Sequence, residues 1–201
     1  MPHLSWPRLL IAALTVAIAF GTASATETVG VNGSNARFPS AIEVQAAGQP
    51  VRLSLTGAAV RKKAFITIYT IASYLQDGVA AKTADQLAAA QGVKVLVLVM
   101  ERDVDGRDMV DGIRSGIRLN HPADAFAPEL ARIGQVLQAM RLQKGERVTL
   151  IAVPGAGLRC YVPGKTDAVV GDAAFARAVW DIYLGRNNVS DAVKSGLVSR
   201  R

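Results

Sequence analysis

Apolar and polar positions change period several times along this chain, and each change marks an element. In "AIEVQAAGQPVRLSLTG" (residues 41–57) the alternation has period two and breaks at Gly48 and Pro50, which predicts two short strands joined by a turn. "AFITIYTIASYL" predicts a strand of about ten residues. One of its faces carries Phe65, Thr67, Tyr69, Ile71 and Ser73, and the other Ile66, Ile68, Thr70, Ala72 and Tyr74. "VKVLVLVM" is an apolar run broken only by Lys94, rich in β-branched residues and too short for a substantial helix, so it reads as a central strand.

Helical spacing takes over elsewhere. Thr83 and Gln86 form a capping-box pattern before a short helix that Gly92 is placed to end. From Asp105 or Gly106 to Leu119, the residues Met109, Val110, Ile113 and Ile117 share one side, with Arg107, Asp111, Arg114 and Arg118 opposite; His121-Pro122 ends the run. Leu130, Ile133, Leu137 and Met140 predict a second amphipathic helix over Pro128–Leu142. A hairpin turning at Pro154-Gly155 follows. A helix capped by Asp172 then runs from Ala173 to Leu184, and a last short one, capped by Ser190, reaches about Gly196. Six or seven strands and four or five helices, linked by hairpins rather than regular βαβ units, indicate an α+β fold: a large antiparallel sheet with a layer of helices on one face.

The N-terminal 25 residues stand apart. The apolar run "LLIAALTVAIAF" and the small-x-small sequence Ala23-Ser24-Ala25 have the form of a signal peptide cleaved near Ala25. This predicts a periplasmic or secreted protein with no stable membrane span after cleavage. Residues 26–42, polar and Gly/Asn-rich at first, are expected as a loose lead into a single domain over 43–201. Only one of the 23 Lys and Arg residues, Arg8, lies in the leader, which leaves 22 against 16 acidic residues, a net charge of about +6. The cations are scattered and form no aromatic-interleaved patch, so nucleic acid is not an expected partner, whereas anionic ligands or surfaces remain open. The single cysteine, Cys160, cannot form an intramolecular disulfide and alternates with apolar neighbours, as a buried strand residue does.

Familiar catalytic constellations are missing. No Gly-rich phosphate loop follows a strand, and no Cys/His cluster suits zinc. The acidic stretch "MERDVDGRD" lacks the spacing of a calcium loop and reads as a turn and helix N-terminus. No cofactor is expected. What stands out is "TGAAVRKKAFITIYTIASYL", which sets Arg61, Lys62 and Lys63 directly before the apolar strand. Such cations either decorate a solvated turn or hold an anionic head group above an apolar pocket.

That stretch, "LVLVMERDVDGRDMVDGIRSGI" and the C-terminal "FARAVWDIYLGRNNVSDAVKSGLV", in this order, resemble the chalcone isomerase-like superfamily over roughly Glu43–Val198. The secreted, non-catalytic bacterial type is the most similar branch. The resemblance implies a cleft between the sheet and the helices. In the plant enzymes an arginine in a glycine-rich turn positions an anionic precursor, and Arg61 in "TGAAVR" matches it. The enzymes' strand threonine falls on Tyr69, their helical tyrosine and asparagine on Met109 and Gly116, and their polar specificity residue on Ile182.

Only the arginine is kept, so the donors that would stabilise a developing charge are gone and ring closure is not expected. Plastid fatty-acid-binding relatives hold a carboxylate with an arginine and a tyrosine. The resemblance therefore implies a non-enzymatic binder of a small amphipathic acid, with Arg61 and Tyr69 at the carboxylate and Met109, Ile113 and Ile182 lining an apolar cleft. Tyr74 points to the opposite strand face from Tyr69. Trp180 and Tyr183 read as core packing. An isomerase or lyase acting on another substrate, and a ligand-free envelope protein that binds a partner, are the alternatives. The oligomeric state stays open.

Overall fold

The computed structural model describes residues 27–200; the expected leader and its cleavage point lie outside the described residues. A two-stranded hairpin, β1 (Thr28–Gly30) and β2 (Arg37–Pro39), leads into β3 (Ala41–Ala46), β4 (Gln49–Lys63) and β5 (Ile66–Gln76). After α1 (Ala84–Ala89) come β6 (Lys94–Met100), the two-residue β7 (Val104–Asp105), α2 (Gly106–Ile117) and α3 (Ala127–Leu137). The chain ends with β8 (Arg141–Leu142), β9 (Arg147–Val153), β10 (Gly157–Val162), β11 (Thr166–Gly171), α4 (Ala173–Leu184) and α5 (Asp191–Leu197). Seven strands form one antiparallel sheet in the order β11-β10-β9-β6-β5-β4-β3, with the wholly buried β6 in its middle. The fold is thus the α+β sheet-and-helix arrangement that the hydrophobic pattern implies.

Each sheet face has its own core. On the helix side, Ala59, Ile71, Leu75, Leu96, Leu98 and Met100 pack with residues of the five helices. On the other side, Leu53, Leu55, Ala72, Tyr74, Val95, Val97 and Val99 pack with Phe38 and Val44. Phe38 is fully buried there, and the Tyr74 hydroxyl donates to the Pro39 carbonyl at 3.0 Å. The expected loose lead-in is therefore a paired hairpin that covers the second face, anchored by one aromatic side chain that a polar neighbourhood had disguised.

The helix starts follow their capping residues. Thr83, Asp172 and Ser190 accept from the backbone N–H three residues ahead. The Gln86 side chain turns back to accept from Lys82 N–H at 2.7 Å, one residue before the position of an ideal capping box. One expected helix is too long: α3 stops at Leu137, and Leu142 belongs to β8. Met140 offers its carbonyl to Gly106 N–H at 2.8 Å, and a Cβ on Gly106 would lie 1.8 Å from the Leu137 carbonyl oxygen. The chain thus leaves the helix to clasp the start of α2, while apolar spacing continues because Met140 still packs on the core.

The C-terminal helix closes the helix side against β4. A Cβ on Gly57 would lie 2.1 Å from the Gly196 carbonyl oxygen, and Thr56 Oγ1 donates to the Leu197 carbonyl at 2.7 Å. Gly57 is glycine because another backbone passes where its side chain would be.

Candidate functional site

The first correction concerns Arg61. Residues 56–63 are not a turn: β4 runs unbroken to Lys63, and the chain reverses at Ala64-Phe65. Arg61 lies directly opposite Tyr69 on β5, so both side chains leave the same face of the sheet. The next pair inward on that face, Ala59 and Ile71, belongs to the helix-side core. Between Arg61 and Lys62 the register slips and leaves Ile68 unpaired with β4. This bulge lets the Ile68 carbonyl accept from Glu101 N–H at 3.0 Å and bends the end of the hairpin.

Helix α4 completes the group. It carries Tyr183, almost fully buried, whose hydroxyl lies 3.2 Å from that of Tyr69. Tyr69 is half-buried: burial raises its pKa, opposed by the hydrogen bond to Tyr183 and by the charge and hydrogen bond of Arg61. Burial also pushes Tyr183 well above its ordinary value, and Tyr69 pushes it further. Both phenols therefore stay protonated through the physiological range. One donates to the other, which leaves one O–H free to donate outward.

Arg61 is partly exposed; its guanidinium contacts the Lys62 carbonyl and hydrogen-bonds the Tyr69 hydroxyl. Among the described residues no carboxylate lies within ion-pair distance of Arg61, Lys62 or Lys63. A guanidinium without a carboxylate partner beside a phenolic O–H suits one anionic group with two oxygens.

The apolar candidates lie in the same helix-side core. Met109 and Ile113 on α2, and Ile182 on α4, are 8 %, 7 % and 3 % exposed. A Cβ on Gly116 would stand 2.6 Å from Ile182 Cγ2, so the two helices touch through the glycine. The seam between α2 and α4 is packed at this point, in place of the open cleft that the resemblance implies. Two hollows lie elsewhere. One, of about 430 Å³, runs beside Gln76–Lys82 and Arg200; the other, of about 130 Å³, lies over Lys94 and Arg177.

Residues 31–199 match the family described as chalcone isomerase-like. The chain belongs to this family. Among solved structures, a fatty-acid binding protein of Arabidopsis thaliana superposes with a TM-score of 0.67 at 16 % identity, covering 86 % of this chain and 96 % of that one. That likeness establishes the shared fold. No curated protein sequence matches. Among the described residues no helix is long and apolar enough to cross a membrane, and no group of three or more His, Cys, Asp or Glu could hold a metal ion.

Within this chalcone isomerase-like fold, the residue that sequence reasoning undervalued is Tyr183. It was assigned to packing, and it does pack, but its hydroxyl also joins Tyr69. The signal was present: a phenol in the mostly apolar "AVWDIYL" needs a partner once buried.

Proposed function

We propose that this protein is a non-enzymatic binder of a small amphipathic acid of the fatty-acid kind, acting in the periplasm after the leader is removed. Arg61 pairs with the carboxylate, and the Tyr69–Tyr183 pair donates the second hydrogen bond. The observation that carries the reading is the juxtaposition of a cation lacking a carboxylate partner, two protonated phenols and an apolar helix–sheet seam. The neighbour from Arabidopsis, a fatty-acid binding protein, supports the same class of ligand. The acyl chain must part the packed α2–α4 seam to enter, where Met109 is the most adaptable side chain and Ile113 and Ile182 flank it. Affinity comes mainly from the chain, at about 0.8 kcal/mol per buried CH₂, and orientation from Arg61. The isomerase alternative lacks donors: Met109, Gly116 and Ile182 offer none at the positions where the plant enzymes use them.

Native mass spectrometry of the protein purified from a secreting host tests this. A C14–C18 acid that is released on mild denaturation and absent from Arg61→Ala is the expected result. A bare protein that also fails to take up added fatty acid would overturn the reading.

A further inference from the structure

The tip of the β4–β5 hairpin is built against the usual rules for a turn. Ala64 has φ +52°, a conformation that favours glycine or asparagine, and Phe65 follows it fully exposed. Ile66, the next residue, is 53 % exposed. Two of the large hydrophobic side chains most open to solvent therefore stand side by side, where neither folding nor turn geometry asks for them. Lys62 and Lys63, exposed and without ion-pair partners among the described residues, flank them on the other arm. The acids near this end of the sheet are engaged: Glu101 accepts from Thr70 and Ser34, and Asp103 from Arg141 and from Lys144 N–H.

We infer that this tip docks on an anionic lipid bilayer, with Phe65 and Ile66 entering the boundary between head groups and acyl chains and Lys62 and Lys63 meeting the lipid phosphates. The charge and the geometry select this occupant. Aromatic and aliphatic residues at the end of a narrow hairpin, ringed by lysines, match the layered polarity of a membrane interface. Arg61 stands four residues behind Phe65 on the same hairpin and faces Tyr69. Docking therefore sets the carboxylate site at the depth where a membrane-borne fatty acid keeps its own carboxylate. This last step rests on the fatty-acid reading above; the docking itself does not.

Flotation of the purified protein with vesicles of phosphatidylcholine, with and without 30 mol % phosphatidylglycerol, tests the inference. Binding should require the anionic lipid and weaken with salt. It should fall roughly 30-fold in Lys62→Ala/Lys63→Ala and at least about tenfold in Phe65→Ser. A Phe65→Trp variant should show a blue-shifted emission on these vesicles. All three variants should take up soluble fatty acid as the parent does, while Tyr69→Phe shows the reverse pattern, with normal flotation and weaker uptake.

Flotation that is unchanged in Phe65→Ser would overturn the inference. So would absent flotation together with a dimer, or a captured protein, that Phe65→Ser releases. If flotation depends on the tip but no variant binds fatty acid, docking stands and the proposed ligand falls.

Discussion

Two cations face the helix layer from opposite ends of the same sheet, and their surroundings differ in kind. Lys94 is 6 % exposed; its ammonium donates to the Ala88 carbonyl at 2.6 Å and lies 5.4 Å from the centre of the Trp180 ring. Ala88 lies in the last turn of α1, so Lys94 satisfies a helix C-terminus that has no basic residue of its own. Arg61, six residue pairs away along β5, has only its neighbour's carbonyl and the Tyr69 hydroxyl beside it, and no carboxylate among the described residues. A buried cation with internal partners is part of the architecture. One held at a rim beside two protonated phenols is available to something that comes and goes.

Substitution can break that contrast, and the largest effect should come from Arg61. Arg61→Ala should lower fatty-acid affinity about 50-fold by titration calorimetry, since charge-assisted hydrogen bonds are the strong ones. Its folding free energy should move by less than about 0.5 kcal/mol, as for an ordinary surface change. A stability loss with binding intact would make Arg61 as structural as Lys94.

Lys94 should behave in the opposite way: ligand affinity unchanged in Lys94→Met, and the effect confined to stability and its pH dependence. Burial, and then repulsion from Arg177, lowers the Lys94 pKa to about 8, with Asp181 partly offsetting both. Because the unfolded chain holds this proton more tightly, the parent should gain stability relative to Lys94→Met as pH rises from about 8 to about 10.5. The gain should be of order 2 kcal/mol in urea unfolding. Cys160, pushed up to about 12 by burial, and the raised tyrosines act the other way at higher pH, but they do so in both proteins and cancel in the difference. A flat difference would mean that Lys94 reaches solvent.

Next in size is the seam that the proposed acyl chain must enter. Gly116→Ala places a methyl on Ile182 and should cost about 1–2 kcal/mol, overpacking outweighing the gain in helix propensity. Adding Ile182→Ala should return part of that loss, and a double-mutant cycle would measure the coupling. Smallest is Tyr183→Phe, expected to weaken fatty-acid binding about fivefold with little change in melting temperature, because one hydrogen bond is lost and the ring remains.

Much of the fold was legible in the sequence. The apolar run after Lys94 in "KVLVLVM" marked the central strand, and Thr83, Asp172 and Ser190 marked helix starts, because these signals act within a few residues of themselves. The end of α3 was not legible, since the apolar spacing runs on to Met140 while a contact with Gly106, over thirty residues earlier, bends the backbone away. The covering hairpin at residues 28–39 was hidden for a related reason: one buried Phe38 supplies its anchor.

For the candidate site, the division falls in the same place. By itself the sequence put three cations before an apolar strand, set Tyr69 and Tyr74 on opposite faces, and kept the arginine of the chalcone isomerase-like pattern while losing its other polar positions. The first two follow from local composition and alternation, the last from the family resemblance. Tertiary structure alone decided that Arg61 is a strand residue paired with Tyr69, that Tyr183 completes the group, and that Gly116 lets α2 close on Ile182. These depend on how β4 registers with β5 and on which turn of α4 meets the sheet. Both are settled by packing between segments as much as 120 residues apart, so no periodicity within one segment records them.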